Sequence, residues 1–348
     1  MSKVFWSGEI SQHSLGRLLD AAGLSSVVSE NHLTAVKIHF GEEGNLGYVR
    51  PKYARTVSQR IKALGAKPFL TDANTIYVGA RANAVDHALV ALKHGFTVEE
   101  AGAPVLIADG LRGNAGVDVK VDLKHFKTVS VANAVYYADS LVFISHFKGH
   151  EISGFGGALK NAGMGCATRE GKYKQHNSVV PKVAREACTS CGACLSWCPS
   201  SALKIDGSDG FITLDPAKCV GCGECILSCP SEVFSIPWSD AASDVQEKMM
   251  EYAFGAVRGK KCIYINFVNY VTKFCDCYAT KDKPFFDEIG LAVSTDPVAV
   301  DVACAEAVNK EFGGDFFRHI FPSIDYTVQL DYAERIGLGT RRYELINV

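Results

Sequence analysis

Eight of the chain's thirteen cysteines fall in two blocks of one pattern. Cys188, Cys191, Cys194 and Cys198 precede Pro199, and Cys219, Cys222, Cys225 and Cys229 precede Pro230, so each block reads C-x-x-C-x-x-C-x-x-x-C-P. Gly192 aligns with Gly223 and Ser200 with Ser231 at the same offset, which makes the segment an internal duplication. Three thiolates with two residues between successive ones can hold three corners of an iron–sulfur cubane if the backbone turns tightly, and glycine eases such turns. Zinc ribbons use two separated cysteine pairs, and the third cysteine followed by a fourth before proline argues against zinc. The expected cofactors are two 4Fe-4S clusters held by reduced thiolates.

The cysteine blocks resemble those of two-cluster bacterial ferredoxins. In that class the last cysteine of each block serves the other cluster. The resemblance therefore implies Cys188, Cys191, Cys194 and Cys229 for one cluster and Cys219, Cys222, Cys225 and Cys198 for the other. Residues 186 to 236 hold six acidic and two basic side chains. A redox partner protein docking there is expected to be basic.

A second set of reactive side chains lies outside the blocks. Lys37 and His39 follow an apolar run at 34–39, and His146, Lys148 and His150 follow another at 140–145. The histidine loop leads into Gly154-Phe-Gly156-Gly157 and then Lys160 and Asn161. A strand, a cationic loop and a glycine-rich helix start together favour a carboxylate or phosphate, so Lys160, Gly156, Gly157 and Asn161 are candidates for binding a small anionic substrate. His39, His146 and His150 are candidates for moving protons, with Lys37 and Lys148 fixing charge. Cys275 and Cys277 would share a face if extended. They could bind an additional metal or cluster with Cys166, His146, His150 or His176, act as a redox pair, or simply pack as reduced thiols. Arg169 to His176 could line a passage between clusters and pocket, or serve as a solvated linker.

These residues need a scaffold. Apolar runs at 34–39, 67–71, 104–108, 140–145, 261–267 and 289–294 alternate with helical patterns at Pro51–Leu64, Arg81–His94, Ala241–Val257 and Pro297–Lys310. Asp296 and Pro297 form a helix start. The expected fold class is α/β: a mostly parallel sheet domain of residues 1–180 plus 240–348, with an inserted ferredoxin-like α+β two-cluster module at 181–239. In open α/β sheets ligands sit beyond the carboxyl ends of the strands, where the Lys/His loops fall.

Lys and Arg total 36 against 38 for Asp and Glu, which gives no basic excess for nucleic acid or anionic lipid. No apolar run approaches the ~18 residues of a membrane helix, so a cytoplasmic location is expected.

Lys37-Ile-His39 with Gly41-Glu42, the His146–His150 loop with Gly154–Gly157 and Lys160-Asn161, Cys275-Asp-Cys277 and Asp296-Pro297 together resemble an uncharacterised bacterial and archaeal family. That family fuses an α/β domain of unknown function to a two-cluster ferredoxin module. The resemblance implies cofactor and architecture, not substrate. Two functions remain in view: an oxidoreductase passing electrons through the clusters to a small anionic substrate or metal centre, and a ferredoxin-like electron-transfer or assembly partner without its own substrate.

Overall fold

The computed structural model of the chain describes residues 1–177, 180–237, 240–277 and 282–348. Its centre is an eight-stranded sheet built from β1 (Ser2–Ser7), β2 (Leu33–Ile38), β3 (Lys67–Asp72), β4 (Val105–Ile107), β5 (Ser140–His146), β6 (Lys261–Val271), β7 (Phe286–Ser294) and β8 (Tyr343–Asn347). The spatial order is β8-β1-β7-β6-β5-β2-β3-β4. The pairs β8·β1, β6·β5, β5·β2, β2·β3 and β3·β4 are parallel, whereas β7 runs antiparallel to both β1 and β6. The sheet is therefore mostly parallel.

Every residue of β5 is buried, as expected of a central parallel strand covered on both faces. Leu141 and Phe143 point into one core, with Tyr264 and Ala292, while Val142 and Ile144 point into the other, with Val36 and Ile265. Helices α1 (Gln12–Ala21) and α2 (Pro51–Ala63) cover the second face. Beyond β3, α3 (Ala84–Lys93) starts at Asn83, whose side chain accepts from the N–H groups of Val85 and Asp86.

The first face carries α4 (Ala158–Gly163), α5 (Arg169–His176), α6 (Ala242–Val257) and α7 (Pro297–Phe312). Asp296 caps α7 by accepting from Val298 N and Ala299 N at 2.9 and 3.0 Å, with Pro297 in the first turn as expected. Strands β1 and β8, which have no marked apolar run, add an unanticipated edge.

The cysteine-rich segment leaves the α/β body after α5 and returns before α6. It contains two short antiparallel pairs, Lys182–Val183 with Phe234–Ser235 and Leu203–Ile205 with Ile212–Leu214. Its own small apolar cluster includes Cys194, Leu203, Ile212, Ile226 and Phe234. Residue 239, the last of the expected insert, lies outside the described residues.

Candidate functional site

The parallel strands β2, β3 and β5 deliver Lys37, Asp72 and His146 to one edge of the sheet, where the following loops enclose a cavity of about 940 Å³. His39, His150, Lys160, His176, Cys275 and Cys277 also line it. The carboxyl ends of the strands thus gather most of the side chains singled out from the sequence, in a volume suited to a small molecule.

Their roles differ. Lys37 Nζ lies 2.8 Å from Asp72 Oδ1 and donates to Asn161 Oδ1 at 2.8 Å. Burial alone would raise the Asp72 carboxyl, but Lys37 and the nearby His87, 3.6 Å away, hold it well below the usual range. Lys148 Nζ lies 3.0 Å from Asp276 Oδ2 and donates to the His146 carbonyl at 2.9 Å. Lys37 and Lys148 thus already have buried counter-charges. Lys160 has no hydrogen-bond or ion-pair partner among the described residues. Burial disfavours its charge, but the sulfurs of Cys275 and Cys277 hold its ammonium above the usual lysine range.

His146 is fully engaged. Its Nδ1 faces Asp276 Oδ1 at 2.9 Å and its Nε2 faces the Asn269 carbonyl at 2.6 Å. That carbonyl sits where the register of β6 shifts beside β7, between Val268 and Asn269. With acceptors on both sides, the ring braces the loop and has no nitrogen left for a ligand.

His39 is held differently. Gly41 N donates to its Nδ1 at 2.9 Å, which leaves Nε2 to carry the proton, and Nε2 lies 3.8 Å from Cys277 Sγ. Gly41 has φ +82° and packs on Tyr48, so a side chain there would be strained and crowded. Burial, then Arg81, lowers the His39 pKa, in keeping with a neutral ring that donates to sulfur.

Cys275 and Cys277 do not lie on an extended strand. They sit in and beside a turn whose central residue, Asp276, points to His146, and Cys277 N donates to Cys275 Sγ at 3.2 Å. Cys275, with Lys160 and His39, holds Cys277 well below the usual thiol range against the effect of burial, while Cys277 and burial push Cys275 up. Cys277 is thus the sulfur favoured as thiolate and Cys275 the one favoured as thiol. A metal ligand at His39 Nε2 would need the lone pair that its tautomer lacks. Among the described residues these two cysteines do not gather with a third Cys, His, Asp or Glu at metal-ligand spacing.

The glycine-rich turn also differs from expectation. The N–H groups of Ala158 and Leu159 that open α4 donate to Asp301 at 2.7 and 2.9 Å, and Asn266 donates to the same carboxylate at 2.6 Å. The negative charge expected at this helix start is supplied by the chain itself. Gly157 is required there because a Cβ would collide with Asp301. His150 accepts from the backbone N–H groups of Ile152 and Ser153 at 3.3 Å through Nδ1, and burial, then Lys160, pushes its pKa well down. Burial, then Lys160, lowers His176 to about 4.

Lys172, from the Arg169–His176 stretch, lines the cavity and is lowered to about 8 by burial. Arg81 and Tyr77 were not singled out from the sequence: Arg81 bonds Glu42 at 3.0 Å and the Tyr77 hydroxyl at 2.8 Å. The aperiodic stretch Ala73–Arg81 after β3 was the available signal for them.

The eight cysteines separate into two sets. Cys188, Cys191, Cys194 and Cys229 line one small cavity. Cys198 is an electrostatic neighbour of both Cys219 and Cys222, and Cys225 feels all three. The last cysteine of each block thus stands with the opposite block. Backbone N–H groups of Ala202 and Val233 donate to Cys198 and Cys229 at 3.2 and 3.4 Å, in equivalent places in the repeat. Sulfur-bound thiolate donors of this number and placement fit cubane clusters. The segment is anchored by Arg169 Nη1, 2.5 Å from Glu224 in a buried pair. Helix α5, which carries Arg169, is mostly buried rather than a solvated linker. Ile76 packs with Tyr173, Cys194 and Ile226, and it also lines the large cavity.

This is an α/β protein with a cavity lined by several charged side chains at the carboxyl ends of its parallel strands and a cysteine-rich segment against the cavity wall. The chain belongs to the family described as "Domain of unknown function (DUF362)", which matches residues 34–306. It is similar to a crystal structure of a protein from Thermotoga maritima, with 12% identity, a TM-score of 0.44, and coverage of 87% of this chain and 60% of that one. It is also similar to the lactate racemase apoprotein from Thermoanaerobacterium thermosaccharolyticum, with 12% identity, a TM-score of 0.36, and coverage of 77% and 51%. The matched parts thus make up less than two thirds of either solved chain. No curated protein matches. No helix among the described residues is long and apolar enough to cross a membrane.

Proposed function

We propose that the chain is an iron–sulfur oxidoreductase that serves a small anionic substrate in the large cavity. A ferredoxin-type module inserted in the α/β domain would hold one 4Fe-4S cluster through Cys188, Cys191, Cys194 and Cys229 and another through Cys219, Cys222, Cys225 and Cys198. The observation that carries this reading is the exchange of the last cysteine between blocks, which two separate tetrahedral sites would not need. Clusters of this type, when bound, each supply one electron at a time.

The chain's own residues support substrate chemistry beside them. Ile76 is shared between the packing around the cysteines and the cavity wall, so the two sites are neighbours. Lys160 offers a cation without a partner among the described residues, and Cys277 offers a sulfur whose thiolate form is favoured. Cys191 is exposed, and Trp197 and Val220 are 42% and 41% exposed, which supports electron entry from a redox partner docked on the cysteine-rich segment. Eight unbridged cysteines in cluster spacing suit the reducing cytoplasm.

The test is anaerobic purification followed by iron and sulfide analysis and EPR of the reduced protein. About eight irons and eight sulfides per chain are expected. Iron-free protein from an anaerobic preparation overturns the reading. Oxidation of the reduced protein by small anions, faster than by neutral analogues, is the expected sign of a substrate. Equal rates would favour a carrier without one.

A further inference from the structure

The Cys275/Cys277 turn has features that cluster binding does not use. Cys275 is 3% exposed, whereas Cys277 is half-buried on the cavity wall. Cys277 N donates to Cys275 Sγ at 3.2 Å, so one tight turn carries both sulfurs, and His39, its tautomer fixed by Gly41, donates to Cys277 Sγ. Lys160 stands across the same cavity with no partner among the described residues. An accessible sulfur that accepts from His39, a sheltered thiol in the same turn and a cation on the same cavity wall are the parts needed for thiol–disulfide exchange on an anionic substrate.

We infer that Cys277 and Cys275 form a redox-active dithiol that reduces small anionic disulfides, with Cys277 attacking and Cys275 resolving. The Cys277 thiolate attacks one substrate sulfur, a Cys277–substrate disulfide forms, and the first half leaves as thiolate. The sheltered Cys275 sulfur then attacks Cys277 Sγ, its proton passes to the departing second half, and a Cys275–Cys277 disulfide remains. Two electrons and one proton return that disulfide to thiol and thiolate. The source of those electrons, one from each cluster, rests on the function proposed above, whereas the exchange itself does not. Lys160 binds the substrate's carboxylate and favours the thiolate that attacks. The site's polar second layer, Asp276 with His146 and Lys148, fixes the turn in which the sulfurs meet.

The full-length protein, purified without oxygen, is mixed with oxidised glutathione, quenched in acid, alkylated, digested and weighed. In the unmodified chain the peptide spanning 275 and 277 is expected to escape alkylation until a strong reductant is added. Cys275→Ser should instead carry one glutathione on Cys277, and Cys277→Ser should carry none. Lys160→Gln should lower the preference for oxidised glutathione over the neutral 2-hydroxyethyl disulfide by roughly tenfold, the worth of one charge-assisted contact. Full alkylation of both cysteines in the unmodified chain after the oxidant overturns the inference, and this measurement needs no variant to fold. Iron in normal amount with no disulfide sinks the dithiol alone. A disulfide formed in iron-free protein upholds the dithiol and sinks the cluster reading.

Discussion

The carboxylate of Asp276 lies 2.9 Å from Nδ1 of His146, inside the protein and between the two cavity cysteines in sequence. Lys148 closes the group at 3.0 Å. The group holds the turn rather than offering itself to a ligand, and its chemistry makes the turn's stability dependent on acid.

Asp276→Asn should cost about 3–5 kcal/mol, because His146 and Lys148 lose a buried counter-charge. Burial alone would raise the Asp276 carboxyl, but His146 and Lys148 hold it well below the usual range. A carboxyl depressed on folding stabilises the protein above its unfolded value, near pH 4, and that contribution fades as pH falls further toward the folded value. Urea midpoints measured down the acid limb should therefore fall more steeply in the unmodified chain than in the variant. Parallel limbs would count against the assignment.

The pH profile of Cys277 alkylation tests the thiolate directly. An ordinary thiol reacts faster with iodoacetamide as pH climbs toward about 8.5. Cys277 should show a nearly level rate through neutral pH. His39→Phe removes the Nε2 donor, and its rate curve should move to higher pH while Cys275 stays unreactive. A profile that climbs like a free thiol's in the unmodified chain would contradict the pairing.

Four single cysteine changes should fall into two classes. Cys229→Ser and Cys188→Ser are expected to remove the same EPR signal, and Cys198→Ser and Cys219→Ser the other. Each should leave about four of about eight irons. If Cys229→Ser grouped with Cys219→Ser, the exchange of last cysteines would be wrong.

Asp301→Ala should cost about 3 kcal/mol in thermal or urea unfolding, since it leaves the N–H groups of Ala158 and Leu159 buried without an acceptor. Iron content should not change. An unaffected midpoint would mean that another acceptor, such as water, takes over the helix start.

The strands that carry the site were legible because β2, β3, β5 and β6 are buried on both faces and read as apolar runs. Strand β1 and its edge neighbour β8 were not, since Tyr343-Glu-Leu-Ile-Asn347 alternates weakly and its partner is at the far end of the chain. The gathering of Lys37, His39, His146 and His150 followed from their places after strands. Which cation stays free did not. Lys37 and Lys160 look alike in a sequence, and only the register of β2 on β3 brings Asp72 to the first. The helix start at Gly157 read as an anion site because its occupant, Asp301, comes from a helix more than a hundred residues later.

Val183 and Phe234 face each other across a short antiparallel pair. The chain therefore departs from the α/β body and rejoins it at nearly the same point, and a tight turn could join those two residues directly. The stretch between them behaves topologically as a detachable cassette: it can lengthen, shrink or be exchanged without altering the order of the eight strands, while a change in its inner face is felt at once by Ile76 and the cavity behind it.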